Sequence, residues 1–381
     1  MHDRNTLSLY VHVPFCTSRC GYCDFNTYTA TELGSDVRRD SFHEVLAKEV
    51  RFAAEQLGHD RKVSTVFVGG GTPTLLGSSG LNYVLAEIKK SFGLVEGAEV
   101  TTEANPDSVT PQMLAELRAG GFTRMSFGMQ SSAPKVLQIL ERTHTPGASV
   151  QAARWARDAG FEHVNLDLIY GTPGESDDDL IGSVEAALSA GIDHLSAYSL
   201  IVEDGTALSR RIARGELPMP DDDVCADRYE LIDERMQAAG LPWYEVSNWA
   251  VPGGECQHNL AYWRSQDWWG IGPGAHSHVN GNRWWNVKHP VPYTEKVLAY
   301  APPSAGSEVL TTDDLRLEEV MLGVRLAEGI SLAVVDRAKV EDLVAGGLVD
   351  PASVSNGRVQ LTRAGRLLAD AVIRDLLANQ A

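Results

Sequence analysis

Six short runs rich in branched or aromatic residues, most of them followed by a segment of helical spacing, set the tightest limit on how this chain folds. The runs span 7–13, 64–68, 99–103, 123–127, 163–169 and 194–201, and helical periodicity fills 42–57, 111–119, 150–159 and 178–190. Strands that alternate with helices pair in parallel, because the helix supplies the crossover that a parallel pair needs. Six such units predict an α/β fold built on a partial (β/α)6 barrel; the competing arrangement is an open doubly wound sheet. In a parallel barrel the chemistry collects where strands reach their carboxyl ends. Polar or glycine-rich residues stand there after the first five runs. They are a cysteine loop, Gly69-Gly70-Gly71-Thr72-Pro73-Thr74, Glu103-Ala104-Asn105-Pro106, Gly128-Met129-Gln130-Ser131, and Asp167 followed by Gly171-Thr172-Pro173-Gly174.

The cysteine loop carries Cys16, Cys20 and Cys23 in C-x3-C-x2-C spacing. Three thiolates on so short a loop suit three irons of a [4Fe–4S] cube and leave the fourth iron without a protein ligand. An open iron binds a small chelating molecule and passes it an electron. This spacing resembles the radical S-adenosylmethionine (SAM) superfamily. A structural zinc site is the competing reading, but zinc takes four ligands in paired groups, and Cys225 and Cys256 lie far from the loop and from each other.

Composition narrows the function classes. The formal net charge is −18, with no run of lysines or arginines, which disfavours nucleic acid as a partner. Five cysteines, three of them clustered, are not a disulfide framework, and an open-iron cluster needs a reducing compartment, so a cytoplasmic location is expected. No apolar run is long enough to span a bilayer, which leaves peripheral membrane association open.

Beyond residue 220 the character of the chain changes. Seven of its eight tryptophans fall within 241–290, predicting an aromatic-rich cap or extension over 221–300. A Pro/Ala/Ser linker is expected at 301–307. The tail, 308–381, reads as helices, a hairpin around Asn356-Gly357 and a last helix from Thr362, a small winged-helix-like α+β domain. The barrel itself is assigned to 1–220. Residues 307–381 hold 12 acidic and 8 basic side chains, so the tail reads as a structural lid and not as a DNA binder.

Other residues carry chemistry by their placement. Gly70 and Gly71, with Thr72, allow close backbone approach to a ligand. Glu103, Gln130, Arg142 and Asp167 stand on or just after the predicted rim; a carboxylate there holds ribose hydroxyls or an ammonium, and Arg142 pairs with a carboxylate. Tyr10 and Tyr22 pack either against a cofactor or in the core. In Cys256-Gln257-His258-Asn259-Leu260-Ala261-Tyr262-Trp263, an imidazole among aromatic rings suits heme ligation. The plainer reading of His258 is a hydrogen-bonded core histidine, and on spacing alone that reading leads. Gly270–Gly274 is either a tight turn or a ligand loop.

Taken together, Tyr10–Phe25, the 69–74 loop, Glu103–Pro106, Ser126–Ser131, Glu141-Arg142 and Asn165–Pro173 resemble the oxygen-independent coproporphyrinogen III oxidase family over nearly the whole chain. Its dehydrogenase branch carries a further cysteine two residues after the third cluster ligand, where this chain has Phe25. The HemW heme-chaperone branch has phenylalanine there and an H-N-x-x-Y-W motif, here His258–Trp263, so this branch is the nearer resemblance. It implies a [4Fe–4S] cluster on Cys16, Cys20 and Cys23, and a SAM pocket lined by Tyr10, Gly70, Gly71, Thr72, Glu103, Gln130, Arg142 and Asp167. It also raises His258 to the leading heme ligand, with heme passed to an acceptor protein and an electron donor as a further partner. The alternative is the radical SAM decarboxylation of coproporphyrinogen III, against which Phe25 weighs.

Overall fold

The computed structural model describes residues 6–33, 37–58 and 61–378, so the first five and last three residues of the units assigned above lie outside it. Its strands are β1 (Thr6–Val13), β2 (Lys62–Gly70), β3 (Leu94–Ala104), β4 (Arg124–Gln130), β5 (His163–Tyr170), β6 (His194–Ser199), β7 (Trp243–Glu245), β8 (Asn248–Ala250), β9 (Trp268–Ile271), β10 (His276–Val279), β11 (Asn282–Asn286) and β12 (Ser304–Val309). They form one sheet in the order β12-β11-β10-β9-β1-β2-β3-β4-β5-β6-β8-β7. β1 to β6 pair in parallel in chain order, as the six sequence runs predict.

Helices Phe42–Leu57, Gly77–Ser91, Pro111–Gly120, Ala148–Asp158 and Asp177–Ser189 make the crossovers. Local sequence sets their starts. Thr110 accepts the Met113 amide ahead of Pro111, and Ser176 with Asp179 closes a capping box. One face of the parallel strands is aliphatic: Leu7, Leu9, Val11 and Val13 of β1, Val66 and Val68 of β2, Leu166 and Leu168 of β5 are buried under these helices. Each such side chain contributes about 1.5–3 kcal/mol by leaving water. The opposite face carries Tyr10, Phe67, Glu103, Ser126, Asn165 and Asp167, so the period of two that builds the strands also lines the barrel interior with polar and aromatic groups.

The aromatic segment does not stand as a cap above the strand ends. β7 and β8 extend the sheet antiparallel beyond β6, while β9 runs parallel to β1 and leads into the antiparallel β10–β12. Tryptophan and histidine pairs are in these strands because they are half-covered sheet, as in the edge-on packing of Trp269 and Trp284. The expected linker is likewise part strand, since Ser304–Val309 pairs with β11. Gly270–Gly274 is a turn: Gly272 has φ 104° and donates its amide to the buried carboxylate of Glu49, which also receives Asn286 and the Tyr293 hydroxyl. Those bonds tie the extension to the first crossover helix. Among the described residues no helix is long and apolar enough to cross a membrane.

The tail has its own core of Val320, Val324, Val340, Val349, Val359, Val372 and Leu376. The hairpin expected at Asn356-Gly357 is not there. Pro351–Ser355 is helix, and Arg358–Val359 pairs instead with the distant Ile330–Ser331. The Asn-Gly pair ends a helix here, a job for which its turn chemistry serves equally well.

Candidate functional site

The barrel interior encloses a cavity of about 530 Å³. Its mouth, at the carboxyl ends of the strands, is edged by Tyr22, Asp24 and Phe25 of the cysteine loop and by Ile201; its floor is Arg124, Cys256, His258 and Tyr262.

The cysteine loop leaves β1 and is closed by paired bonds between Pro14–Cys16 and Tyr28, with the Cys16 amide 3.0 Å from the Tyr28 carbonyl and the Tyr28 amide 2.7 Å from that of Pro14. Gly21 seats it on the barrel by donating to the Leu140 carbonyl and accepting from the Leu208 amide. All three thiols are free and half-buried. Burial first, with the neighbouring thiols adding, pushes Cys16 and Cys23 up, and the Arg142 guanidinium donates to Cys20 Sγ at 3.4 Å. Among the described residues no three His, Cys, Asp or Glu side chains converge on a single-ion position. Three free thiols within electrostatic reach of one another, one beside a guanidinium, fit three corners of an iron–sulfur cube.

The glycine loop after β2 packs directly on this loop. The Gly71 amide donates to the Val13 carbonyl and the Thr72 amide to that of Phe15, at 2.8 and 2.7 Å. A Cβ at Gly71 would lie 2.4 Å from the Phe15 oxygen and 3.0 Å from Cys16 Sγ. At Gly70 φ is 113°, open to glycine alone, and its amide donates to Glu103 Oε2 at 3.0 Å. These amides are therefore spent within the protein, and Gly70, Gly71 and Thr72 shape the wall behind the cavity instead of lining it.

Glu103 and Asp167 face the cavity from β3 and β5. Burial and the charge of Asp167 push Glu103 up to about 8, against the pull of the Gly70 amide. Burial also raises Asp167, although Asn165 and Ser126 donate to it at 2.7 and 3.2 Å. Two carboxyls that repel each other in a half-buried cavity are the electrostatic profile of a cation site. Gln130 lines the same wall with φ 66°, a left-handed conformation that costs a non-glycine residue about 1 kcal/mol or more and gathers at functional sites. Arg142 stays behind the cavity, donating to Cys20, to the Gly128 carbonyl and to His144. Tyr10 lines the cavity and donates to His12 Nδ1 at 3.0 Å, since His12 Nε2 donates to the Asn26 carbonyl.

The helix Gln257–Trp263 closes the amino-terminal end of the barrel. Glu99, at the start of the paired part of β3, accepts the Gln257 and His258 amides at 3.1 and 3.0 Å, the Cys256 thiol, and Arg124 Nε at 2.9 Å. This anchors the plug. His258 is 1 % exposed, with both ring nitrogens partnered. The Thr65 hydroxyl donates to Ser8, so His258 Nδ1 carries the proton and donates to Thr65 at 2.8 Å; Nε2 accepts from the Tyr262 hydroxyl at 2.8 Å. Burial lowers the imidazole to about 3, so it is neutral. The one lone pair suited to a metal is thus Nε2, and Tyr262 caps it. The Cys256 thiol is held by Glu99 and the His258 ring by Thr65 and Tyr262.

Of the residues expected at the site, Tyr10, Tyr22, Glu103, Gln130, Asp167 and His258 share one cavity. The cysteines, Gly70, Gly71, Thr72 and Arg142 stand behind its wall without lining it. Sequence reasoning missed Phe67, Thr101, Arg124, Asn165 and Ser196, which line the middle and the floor. Their signal was present: polar residues alternating with aliphatic ones inside parallel strands that two-sided burial would make uniformly apolar.

Comparison with known proteins follows the same lines. A family model described as Radical SAM superfamily matches residues 10–187. The heme chaperone HemW of Mycobacterium tuberculosis is 55 % identical over 372 residues, 97 % of this chain and 94 % of that protein. The heme chaperone HemW of Bacillus subtilis is 33 % identical, covering 98 % and 99 %. Among solved structures, the coproporphyrinogen III oxidase HemN of Escherichia coli, a radical SAM enzyme, superposes with a TM-score of 0.83 at 24 % identity, covering 98 % of this chain and 90 % of that one.

Proposed function

The chain belongs to the HemW heme-chaperone family within the radical SAM superfamily, and from that premise we propose that it binds heme in its barrel and hands it to an acceptor protein. Cys16, Cys20 and Cys23 would hold a [4Fe–4S] cluster. Glu103 and Asp167, with Tyr10 and Gln130, would hold SAM, whose sulfonium and ammonium match the acidic pair. With cluster and SAM bound, one-electron chemistry at the open iron becomes available. The residues of this chain do the rest. Gly70 and Gly71 let the cysteine loop lie against β2, Arg142 donates to Cys20 Sγ, and the plug helix closes the barrel floor. The protein is expected to act in the cytoplasm, with an electron donor as a further partner.

The observation that carries this reading is the opposition of the two motifs across one cavity: the cysteine loop at the mouth and His258 on the floor. Hemin titration of the anaerobically reconstituted protein and of His258→Ala tests it. The wild type should bind one hemin with a histidine-type spectrum, and the variant should lose that spectrum. Identical titrations would remove His258 as ligand.

The HemN-like fold also supports coproporphyrinogen decarboxylation as a second reading. Phe25, 65 % exposed at the mouth, stands where that branch has its additional cysteine. Anaerobic incubation with coproporphyrinogen III, SAM and a reductant should yield no protoporphyrinogen; turnover would favour the oxidase.

A further inference from the structure

Two buried donors on the cavity floor have no partner among the described residues. Arg124, 2 % exposed, donates Nε to Glu99 and Nη2 to the Gly254 carbonyl, at 2.9 and 2.6 Å, while Nη1 is unpaired. Thr101 is fully buried and its hydroxyl is unpaired as well. The two residues are direct partners in the β3–β4 register, and both line the cavity. Leaving such groups without a partner is costly, so a site that places two of them side by side is arranged to receive an acceptor.

Charge says which acceptor. Arg124 is the one Lys or Arg in the described lining, whereas Asp24, Glu103, Asp167 and Glu203 stand above it. An anionic group is repelled along the upper cavity and accommodated at the floor. Glu99 takes the Nε edge of the guanidinium, at 2.9 Å, and leaves Nη1 without a partner among the described residues. A carboxylate has two oxygens for two adjacent donors, and its bond to a guanidinium is of the strong, charge-assisted kind.

We propose that Arg124 Nη1 and the Thr101 hydroxyl form a carboxylate subsite on the barrel floor, which takes one carboxylate-bearing side chain of the flat ligand. The proposal rests on the heme reading above and adds to it an orientation: one propionate points down, away from the cysteine loop. The subsite therefore selects tetrapyrroles with free acid side chains over their esters.

The test is titration of wild type, Thr101→Val and Arg124→Gln with hemin and with hemin dimethyl ester, whose carboxylates are blocked. Wild type should bind hemin about tenfold more tightly than the ester. Thr101→Val, which keeps side-chain volume and leaves the Arg124–Glu99 pair intact, should lose about five- to tenfold for hemin and nothing for the ester. Arg124→Gln should lose more, and its melting curve will show whether the floor has held. Equal binding of acid and ester by wild type, or an unchanged Thr101→Val, overturns the subsite while heme binding stands. Binding of neither porphyrin by wild type overturns the heme reading and the subsite with it.

Discussion

The Tyr262 hydroxyl sits 2.8 Å from His258 Nε2 and occupies the one imidazole lone pair that points away from a proton. On the proposed reading, a heme iron would reach His258 only by displacing this bond. Tyr262→Phe should therefore tighten hemin binding by about two- to tenfold, the worth of an ordinary hydrogen bond of about 0.5–1.5 kcal/mol. Equilibrium titration of the Soret band checks this, and weaker binding by the variant would make Tyr262 a contact to the ligand and not a cap.

Glu103 ties affinity to pH. Its folded value near 8 lies above the unfolded value of about 4.5, so between those limits the unfolded chain gives up a proton that the folded one keeps. Stability should fall as pH rises from about 5 to 8, by at most about 1.4 kcal/mol per pH unit, and the loss should vanish in Glu103→Gln. A cationic ligand reverses the preference by favouring the carboxylate. SAM should bind more tightly as pH rises towards 8, and the variant should show a flat profile. Urea midpoints and calorimetric titrations at pH 5, 6.5 and 8 read both effects.

Gly71 tests the seat of the cysteine loop. Alanine there drives a methyl group into the Phe15 carbonyl and Cys16 Sγ. The φ of this residue is not in the left-handed region, so the effect is steric displacement alone. Gly71→Ala should fold, yet take up less than half the iron and sulfide of wild type on anaerobic reconstitution. Wild-type iron content would mean that the loop relaxes freely.

A buried carboxylate helps to hold the tail. Asp233 on the helix Asp222–Ala238 receives Arg366 at 3.0 and 3.1 Å, Arg363 at 3.0 Å and the Trp249 indole at 2.9 Å. Arg366 also lies over the Trp243 ring, 4.4 Å from its centroid. Arg366→Met should destabilise the protein by about 2 kcal/mol, since it leaves the buried Asp233 with Arg363 as its remaining cationic partner. The urea transition should become biphasic as the tail core of Val320, Val340 and Val372 separates from the barrel. A single unshifted transition would show that the Asp233 contact is dispensable.

Much of this was legible in the amino-acid order because strand and helix periods differ. The run 42–57 matches its helix end to end, and all six parallel strands lie where branched residues cluster. The cysteine spacing and the glycine loop were equally plain, since both are local. What escaped notice depended on distant partners. Trp268–Ile271 reads as one more aromatic stretch until it pairs with β1, 260 residues earlier in the chain. Arg124 looks like the first residue of a strand, and only the plug helix makes it a cavity floor. By sequence His258 reads as either a core histidine or a ligand; in the structure it is a partnered core histidine whose remaining lone pair faces the Tyr262 hydroxyl.

The most direct test of the central claim is the electron paramagnetic resonance spectrum of the anaerobically reconstituted, reduced protein, recorded with and without SAM. Three protein corners and one open iron predict about four irons per chain and a signal that changes when SAM binds. A spectrum indifferent to SAM, or a preparation holding zinc in place of iron, would contradict the account.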